Sequence, residues 1–404
     1  MKSTLLPVQI LLSIFSPPLR QRFVDNAIWE KDFPEMRWTM SPEDKRECHQ
    51  RFKDLRDPEA HRALIGLTLD QRLNRLGYPV QRINVTTEDG YILGLYRIPF
   101  SPKSPLVEGV VKKAVILQHG LLANGFALFG LGILLADSGF DVYIANSRGN
   151  SYSQGHINPD MTLDNWKYWD FSFHEMGIFD IPAVIETVTD ITKQQSMYFV
   201  GISMGATLLA VMLAERPEYN PRIATAFLLG PSIYLGHTAL YIQPFLNFYI
   251  SNTLVAGRLD PEIETHLLFG SSPAHLCSNE KYACVTTSTK AYIHLLQLMK
   301  TNKFCQFNYG FGAINKLRYG RSSPPCYDMH NISSPLLVFW GANDVFAKPQ
   351  DIAKMVSKIP KNALKECIKV DSKHFTHLDF AIAKDSYILV YKRIIDVMLN
   401  ATYG

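Results

Sequence analysis

Residues 196–215 read SMYFVGISMGATLLAVMLAE and hold Gly201-Ile202-Ser203-Met204-Gly205. The run rich in Tyr, Phe and Val before the pentapeptide predicts a buried strand, and the Ala/Leu-rich run after it predicts a helix. Ser203 then falls on a strand-to-helix turn. There the backbone is tight and strained, the two glycines leave room for its neighbours, and the hydroxyl stands above the sheet edge. The pentapeptide alone weighs little, because roughly one chain in ten of this length carries it by accident. Its weight comes from the strand and helix around it, and an ordinary βα turn competes until partner residues are found.

Working outward toward the C-terminus, Ala224–Leu229 predicts another strand, ending at Gly230-Pro231. From about Ser232 to Pro325 the strand rhythm stops and Leu, Tyr and Phe accumulate, with a helix expected over Thr289–Lys300. Such an insertion between core strands suggests a cap, whose apolar residues either line an acyl pocket or form the cap's own core. Strands resume at Leu336–Trp340, which runs into Gly341-Ala342-Asn343-Asp344. Glu366–Val370 is followed by His374-Phe375-Thr376-His377-Leu378-Asp379-Phe380. A hydroxyl, a carboxylate and an imidazole in the order Ser, Asp, His, each just past a strand, form the pattern of an α/β-hydrolase.

Toward the N-terminus, Ala114–Gln118 predicts a buried strand stopping at His119-Gly120-Leu121-Leu122, where the glycine permits a sharp turn that presents a backbone N–H. Ligands of open α/β sheets bind at that edge. The strand Asp141–Asn146 leads into the polar turn Ser147-Arg148-Gly149-Asn150-Ser151-Tyr152, which reads as structural. Trp166, Trp169 and Phe171–Phe173 read as core ahead of a helix over Ile181–Thr192. Thr68-Leu69-Asp70-Gln71 has capping-box spacing, with Gly77-Tyr78-Pro79 closing its helix. Val80–Thr87 and Tyr91–Pro99, joined by Glu88-Asp89-Gly90, predict a hairpin on the sheet edge.

The chain has 404 residues, 47% hydrophobic and 19% charged, enough for one large core with an inserted subdomain. A formal charge of +4 without any Lys/Arg run argues against nucleic acid as a partner. Residues 1–18, with an apolar stretch from Leu5 to Phe15, have the proportions of a secretory signal and are too short to span a bilayer. The sequons at Asn84, Asn331 and Asn400 fit that route. Residues 19–62 are charge-dense, either a solvated helical extension or a removable segment. Six cysteines allow many pairings; Cys277 and Cys284, close together in a loop-like stretch, form the expected disulfide, leaving Cys48, Cys305, Cys326 and Cys367 unassigned. No metal spacing is present: His174-Glu175 lacks its second ligand because position 178 is Ile. Gly130-Leu131-Gly132 fails as a dinucleotide fingerprint, with Leu135 in the third glycine's place.

The stretches TEDGYIL, LQHGLL, NSRGN, WDFSFHEMGIFDIPA, GANDVFAKPQD and HLDF together resemble the acid lipase family, which includes gastric and lysosomal lipases. The resemblance is collinear over most of Leu67–Asn400. It implies an α/β-hydrolase fold with a mostly parallel sheet and an inserted, mainly helical cap. The core then occupies residues 63–231 and 326–404, and the cap 232–325. It further implies Ser203 as nucleophile, Asp344 as acid, His377 as base, and the amides of Leu121 and Met204 as oxyanion donors. Hydrolysis of triacylglycerols or steryl esters at a lipid–water interface follows, in a secreted or lysosomal setting, with neither metal nor organic cofactor. His374 is the rival base, and the His-Leu-Asp-Phe context favours His377.

The sequence departs from that family in three places. Gly-Ile-Ser-Met-Gly replaces the usual Gly-His-Ser-Gln-Gly, Ala123-Asn124-Gly125-Phe126 replaces a Ser-rich run ending in Trp, and the cap is shorter. The short cap keeps open an esterase of smaller or more polar esters. A non-catalytic lipid-binding protein on the same scaffold is the other alternative, and the intact Ser, Asp, His set argues against it.

Overall fold

The computed structural model describes residues 67–238, 287–383 and 385–400. From Thr68 onward the described residues belong to one compact unit. Its first helix, α1 (Leu69–Arg75), starts on the expected capping box: Thr68 Oγ1 accepts from Gln71 N–H, and Gln71 Oε1 accepts from Thr68 N–H. The hairpin follows as β1 (Gln81–Thr86) and β2 (Tyr91–Ile98), antiparallel and in register from Gln81 opposite Arg97 to Thr86 opposite Ile92.

The core then alternates strand and helix: β3 (Ala114–Gln118), α2 (Phe129–Asp137), β4 (Asp141–Ala145), the short β5 (Gly155–His156), α3 (Ile181–Thr192), β6 (Met197–Ile202), α4 (Met204–Glu215) and β7 (Ile223–Leu229). After α5 (Thr289–Thr301) and α6 (Gly312–Tyr319) come β8 (Leu336–Trp340), α7 (Pro349–Val356), β9 (Leu364–Lys369) and α8 (Lys392–Asn400). Among the described residues the strands form one sheet in the order β1-β2-β4-β3-β6-β7-β8-β9, with β5 paired to β2. From β4 to β9 every pairing is parallel, so the strands that end at Gln118, Ile202, Leu229 and Trp340 deliver their following loops to one edge. β3, β4 and β6 are buried at every position, as near-continuous apolar runs flanked by helices on both faces must be.

Two local features differ from expectation. Helix α3 extends back through a wider π turn, Met176–Asp180, to Phe173–Glu175, where Ser172 and Glu175 form a second capping box. The expected start is Ile181; Pro182, next to it, lies within the longer helix, and the wide turn before it accommodates the missing N–H. Trp169, Phe171 and Phe173 are core, whereas Trp166 is 66% exposed on the first position of a surface turn.

The polar turn after β4 is structural, as expected, through buried Arg148. Its guanidinium bonds Asp180 at the head of α3 and Asp89 in the hairpin turn, and lies over the Tyr91 ring. Burial opposes its charge, but the two aspartates outweigh that and hold it protonated. Three separate segments are thereby tied behind the sheet edge.

Between β7 and β8 no described residue joins the sheet, and the helix expected over Thr289–Lys300 is found as α5. Cys277 and Cys284 lie outside the described residues. The described disulfide is Cys305–Cys326, which closes the loop carrying α6 across a sequence separation of 21. Restricting the unfolded chain by a loop of that size is worth about 3 kcal/mol. Asn84, Asn331 and Asn400 are all exposed, and the Asn331 side-chain amide is engaged, donating to the Ala214 carbonyl at 2.9 Å.

Candidate active site

Ser203 is the residue immediately before α4, with φ 55° and ψ −117°. A non-glycine residue at positive φ costs about 1–3 kcal/mol and persists only where its surroundings dictate it. Here its N–H is bonded to the Leu229 carbonyl at 2.8 Å, and α4 behind it is buried from Met204 to Ala214. The flanking glycines are required by contact. A Cβ on Gly205 would stand 2.4 Å from the Gln118 carbonyl oxygen, and one on Gly201 2.7 Å from the Ala206 nitrogen. The turn is therefore pressed between β3 and its own helix, which leaves the Ser203 side chain pointing off the sheet edge.

The loop after β8 carries Asp344, fully buried. Its Oδ1 accepts from the N–H groups of Phe346 and Ala347 at 2.8 and 2.9 Å, which turns Oδ2 toward His377 Nδ1 at 2.8 Å. Burial opposes the carboxylate's charge, yet the facing His377 imidazole and the two amides outweigh it and hold the group below the usual carboxylate range. The other ring nitrogen, Nε2, lies 2.7 Å from Ser203 Oγ.

His377 is held by its own loop. Asp379 accepts from Thr376 N–H and Oγ1–H, Phe375 packs edge-on to Phe380, and the Phe346 ring lies 4.9 Å from the imidazole. His374 is half-buried and makes no hydrogen bond to Ser203; the imidazole reaching the serine is that of His377. Behind the pair runs Gly230 at φ +54°, where a Cβ would meet Asp344 Oδ2 at 3.1 Å and His377 Nδ1 at 3.2 Å.

The turn after β3 approaches from the opposite side, and a Cβ on Gly120 would stand 2.9 Å from Ser203 Cβ. Neither the Leu121 nor the Met204 N–H is engaged by another described residue. Met204 also opens α4, where the partial positive charge of a helix start favours an anion. Buried His119 braces the turn. Its Nε2 accepts from Ser147 N–H at 3.1 Å, so the opposite nitrogen carries the proton and donates to the Gly120 carbonyl at 2.8 Å. Burial pushes this imidazole down to about 4, partly offset by the Gly120 bond, which keeps it neutral at ordinary pH.

A hydroxyl hydrogen-bonded to an imidazole that a buried carboxylate orients is the arrangement that acyl-transfer nucleophiles use. No group of three or more His, Cys, Asp or Glu among the described residues is arranged to hold a metal ion.

Over 379 residues, 85% of this chain and 93% of the relative, the sequence is 31% identical to gastric triacylglycerol lipase of Rattus norvegicus. The chain belongs to the acid lipase family. Lysosomal acid lipase/cholesteryl ester hydrolase of Homo sapiens, another member, is 30% identical over 381 residues, covering 85% of this chain and 92% of its own length. The family description "partial alpha/beta-hydrolase lipase region" matches residues 69–129, and "alpha/beta hydrolase fold" matches residues 113–261. Among solved structures, a soluble variant of monoglyceride lipase from Saccharomyces cerevisiae with a substrate analogue shares the fold, at TM-score 0.54 and 15% identity over 80% of this chain and 96% of that one.

The departures from the usual acid lipase pattern have local structural answers. Asn124, in the stretch where a Ser-rich run is usual, is buried and caps the following 3₁₀ turn through Phe126 N–H, while Gly125 N–H bonds Asn146. Reading the sequence missed three supporting groups. His119 was passed over as part of a turn, Asp379 as part of a motif, and Ser232, whose Oγ lies 3.1 Å from Ser203 Oγ, as the start of the cap. The Gly120 and Asp379 motifs contained a signal for the first two. Ser232 follows Gly230-Pro231 by chain position alone and had none.

Proposed function

We propose that this acid lipase family member hydrolyses carboxylic esters of lipids, acylglycerols or steryl esters, through an acyl-enzyme on Ser203. The observation that carries the proposal is the continuous hydrogen-bonded line from Asp344 Oδ2 through both nitrogens of His377 to Ser203 Oγ. Ser203 Oγ attacks the ester carbonyl carbon as its proton passes to His377 Nε2. Asp344 fixes the tautomer and stabilises the imidazolium. The carbonyl oxygen becomes an oxyanion held by the Leu121 and Met204 N–H groups, each such donor typically contributing about 3–4 kcal/mol. Collapse breaks the bond to the alcohol, which leaves with the proton from Nε2. Water, deprotonated by the same nitrogen, then releases the acid and restores Ser203.

A lipid surface as the substrate phase is supported by α6. Phe311, Ile314 and Leu317 are 72%, 40% and 85% exposed beside Lys316 and Arg318, an apolar stripe with cationic flanks of the kind that enters an interface. A secretory or lysosomal location is proposed from the relatives named above, with Asn84 and Asn400 as the sequons available to glycan. No helix among the described residues is long and apolar enough to cross a membrane. The cap boundaries, 232–325, are likewise part of this reading.

The test has two arms. A serine-directed alkyl phosphonate should label the purified protein on Ser203 and abolish activity; absence of label removes the hydrolase reading and leaves a lipid-binding scaffold. Turnover should be higher on emulsified long-chain acylglycerol than on soluble short-chain esters, and the reverse order would identify an esterase of small esters.

A further inference from the structure

Ser232 is the third residue past β7 and is 5% exposed. Its backbone is clamped against the Ser203 turn: Thr207 Oγ1–H donates to the Ser232 carbonyl at 2.8 Å, and Ser232 N–H faces the Ser203 carbonyl at 3.5 Å. Among the described residues its hydroxyl has a single partner, Ser203 Oγ at 3.1 Å.

Proton accounting decides which oxygen donates. The Asp344 carboxylate only accepts, so His377 Nδ1 carries a hydrogen and Nε2 is a bare acceptor in the neutral ring. Ser203 then gives its single hydrogen to Nε2. The hydrogen between the two serines therefore belongs to Ser232, and Ser203 Oγ receives it on a lone pair.

We propose that Ser232 is a further catalytic residue, a hydroxyl donor to the nucleophilic oxygen itself; this rests on Ser203 being the nucleophile. As the Ser203 proton moves to Nε2, Oγ carries more negative charge than the resting hydroxyl, and a preorganised donor stabilises that charge in the transition state more than the ground state. In acylation the Oγ–carbon bond forms while Ser232 O–H remains on Oγ. In deacylation that bond breaks, the electron pair returns to Oγ under the same donor, and Nε2 gives the proton back. Ser232 transfers no proton of its own. It serves Oγ in both half-reactions, while the oxyanion donors serve the former carbonyl oxygen.

The experiment compares Ser232→Ala, Ser232→Cys and Ser232→Thr in the full chain, by steady-state turnover of a soluble p-nitrophenyl ester and by the rate of phosphonate labelling at Ser203. Ala should lower kcat and the labelling rate together by about 10–30-fold, with KM within twofold. Cys fills the same space with a weak donor and should lose as much as Ala, whereas Thr, which keeps the hydroxyl, should recover most of the rate. A Cys variant as fast as wild type would mean that Ser232 only fills space, and would overturn the proposal. Equal labelling rates in wild type and Ala would overturn it too, while leaving the Ser203 reading intact. Absence of label in wild type would remove both. If the Ala variant fails to fold, the Cys and Thr pair alone decides.

Discussion

Replacing Asp344 by Asn tests the site at the atom that sets its proton inventory. The two oxygens of Asp344 face different partners: Oδ1 receives two backbone N–H groups, and Oδ2 receives the ring nitrogen of His377. An asparagine there must keep its oxygen toward the two amides, because the opposite orientation would set NH₂ against two buried donors. Leaving two buried donors unmade costs about 2–6 kcal/mol, so at most a few per cent of molecules would flip. The NH₂ then faces His377 Nδ1, which must accept, and the ring hydrogen moves to Nε2. There it points at Ser203 Oγ instead of receiving its proton. The same exchange in a Ser-His-Asp protease lowers kcat by about 10⁴ with the geometry intact, on the order of 5 kcal/mol in the barrier. Asp344→Asn should therefore fold normally and lose about four orders of magnitude in kcat on a soluble ester near neutral pH, with KM little changed. His374→Ala, as the control, should retain activity. An Asn variant keeping more than about one-thirtieth of kcat, or failing through KM alone, would refute the tautomer argument.

Two further expectations follow from the site's supports. Gly205→Ala places a methyl 2.4 Å from the Gln118 carbonyl, a backbone atom that cannot swing aside, and should destabilise the fold by about 1–3 kcal/mol or more in chemical denaturation; an unchanged midpoint would mean that β3 and the Ser203 turn are not in contact. His119, depressed from 6.5 to about 4, binds its proton more weakly in the folded state than in the unfolded one. Its contribution is therefore complete above pH 6.5 and is lost as pH falls toward 4, about 3 kcal/mol across the window. His119→Gln should flatten the dependence of unfolding free energy on pH in that range, and an unaltered slope would show that His119 is not neutral when buried.

Much of this arrangement was legible along the chain because it is written in local periodicity. The apolar runs over Ala114–Gln118 and Leu336–Trp340 are strands at those bounds, and the loop residues after them could be placed at one sheet edge because parallel strands share a direction. What stayed hidden depends on neighbours distant in sequence. Asp89, Arg148 and Asp180 belong to three segments, and nothing local announces that they share one buried charge cluster. Trp166 and Trp169 have the same composition signal and opposite burial, since the turn carrying them presents one side to solvent. The helix expected to begin at Ile181 starts eight residues earlier, at Phe173, because a wide turn over Met176–Asp180 joins the two segments. Ser232 is a plain serine until the neighbouring strand brings Ser203 beside it.

Helix α4 is apolar on every side and buried from Met204 to Ala214, so it has no solvated flank along which to slide or tilt. The reactive oxygen is thus mounted at the head of a helix buried along eleven consecutive residues, which leaves substrate entry as the expected source of variation in turnover with surface or temperature. Heat should then leave the enzyme working at full alignment until the whole core gives way, with loss of activity and loss of tertiary structure falling on one curve.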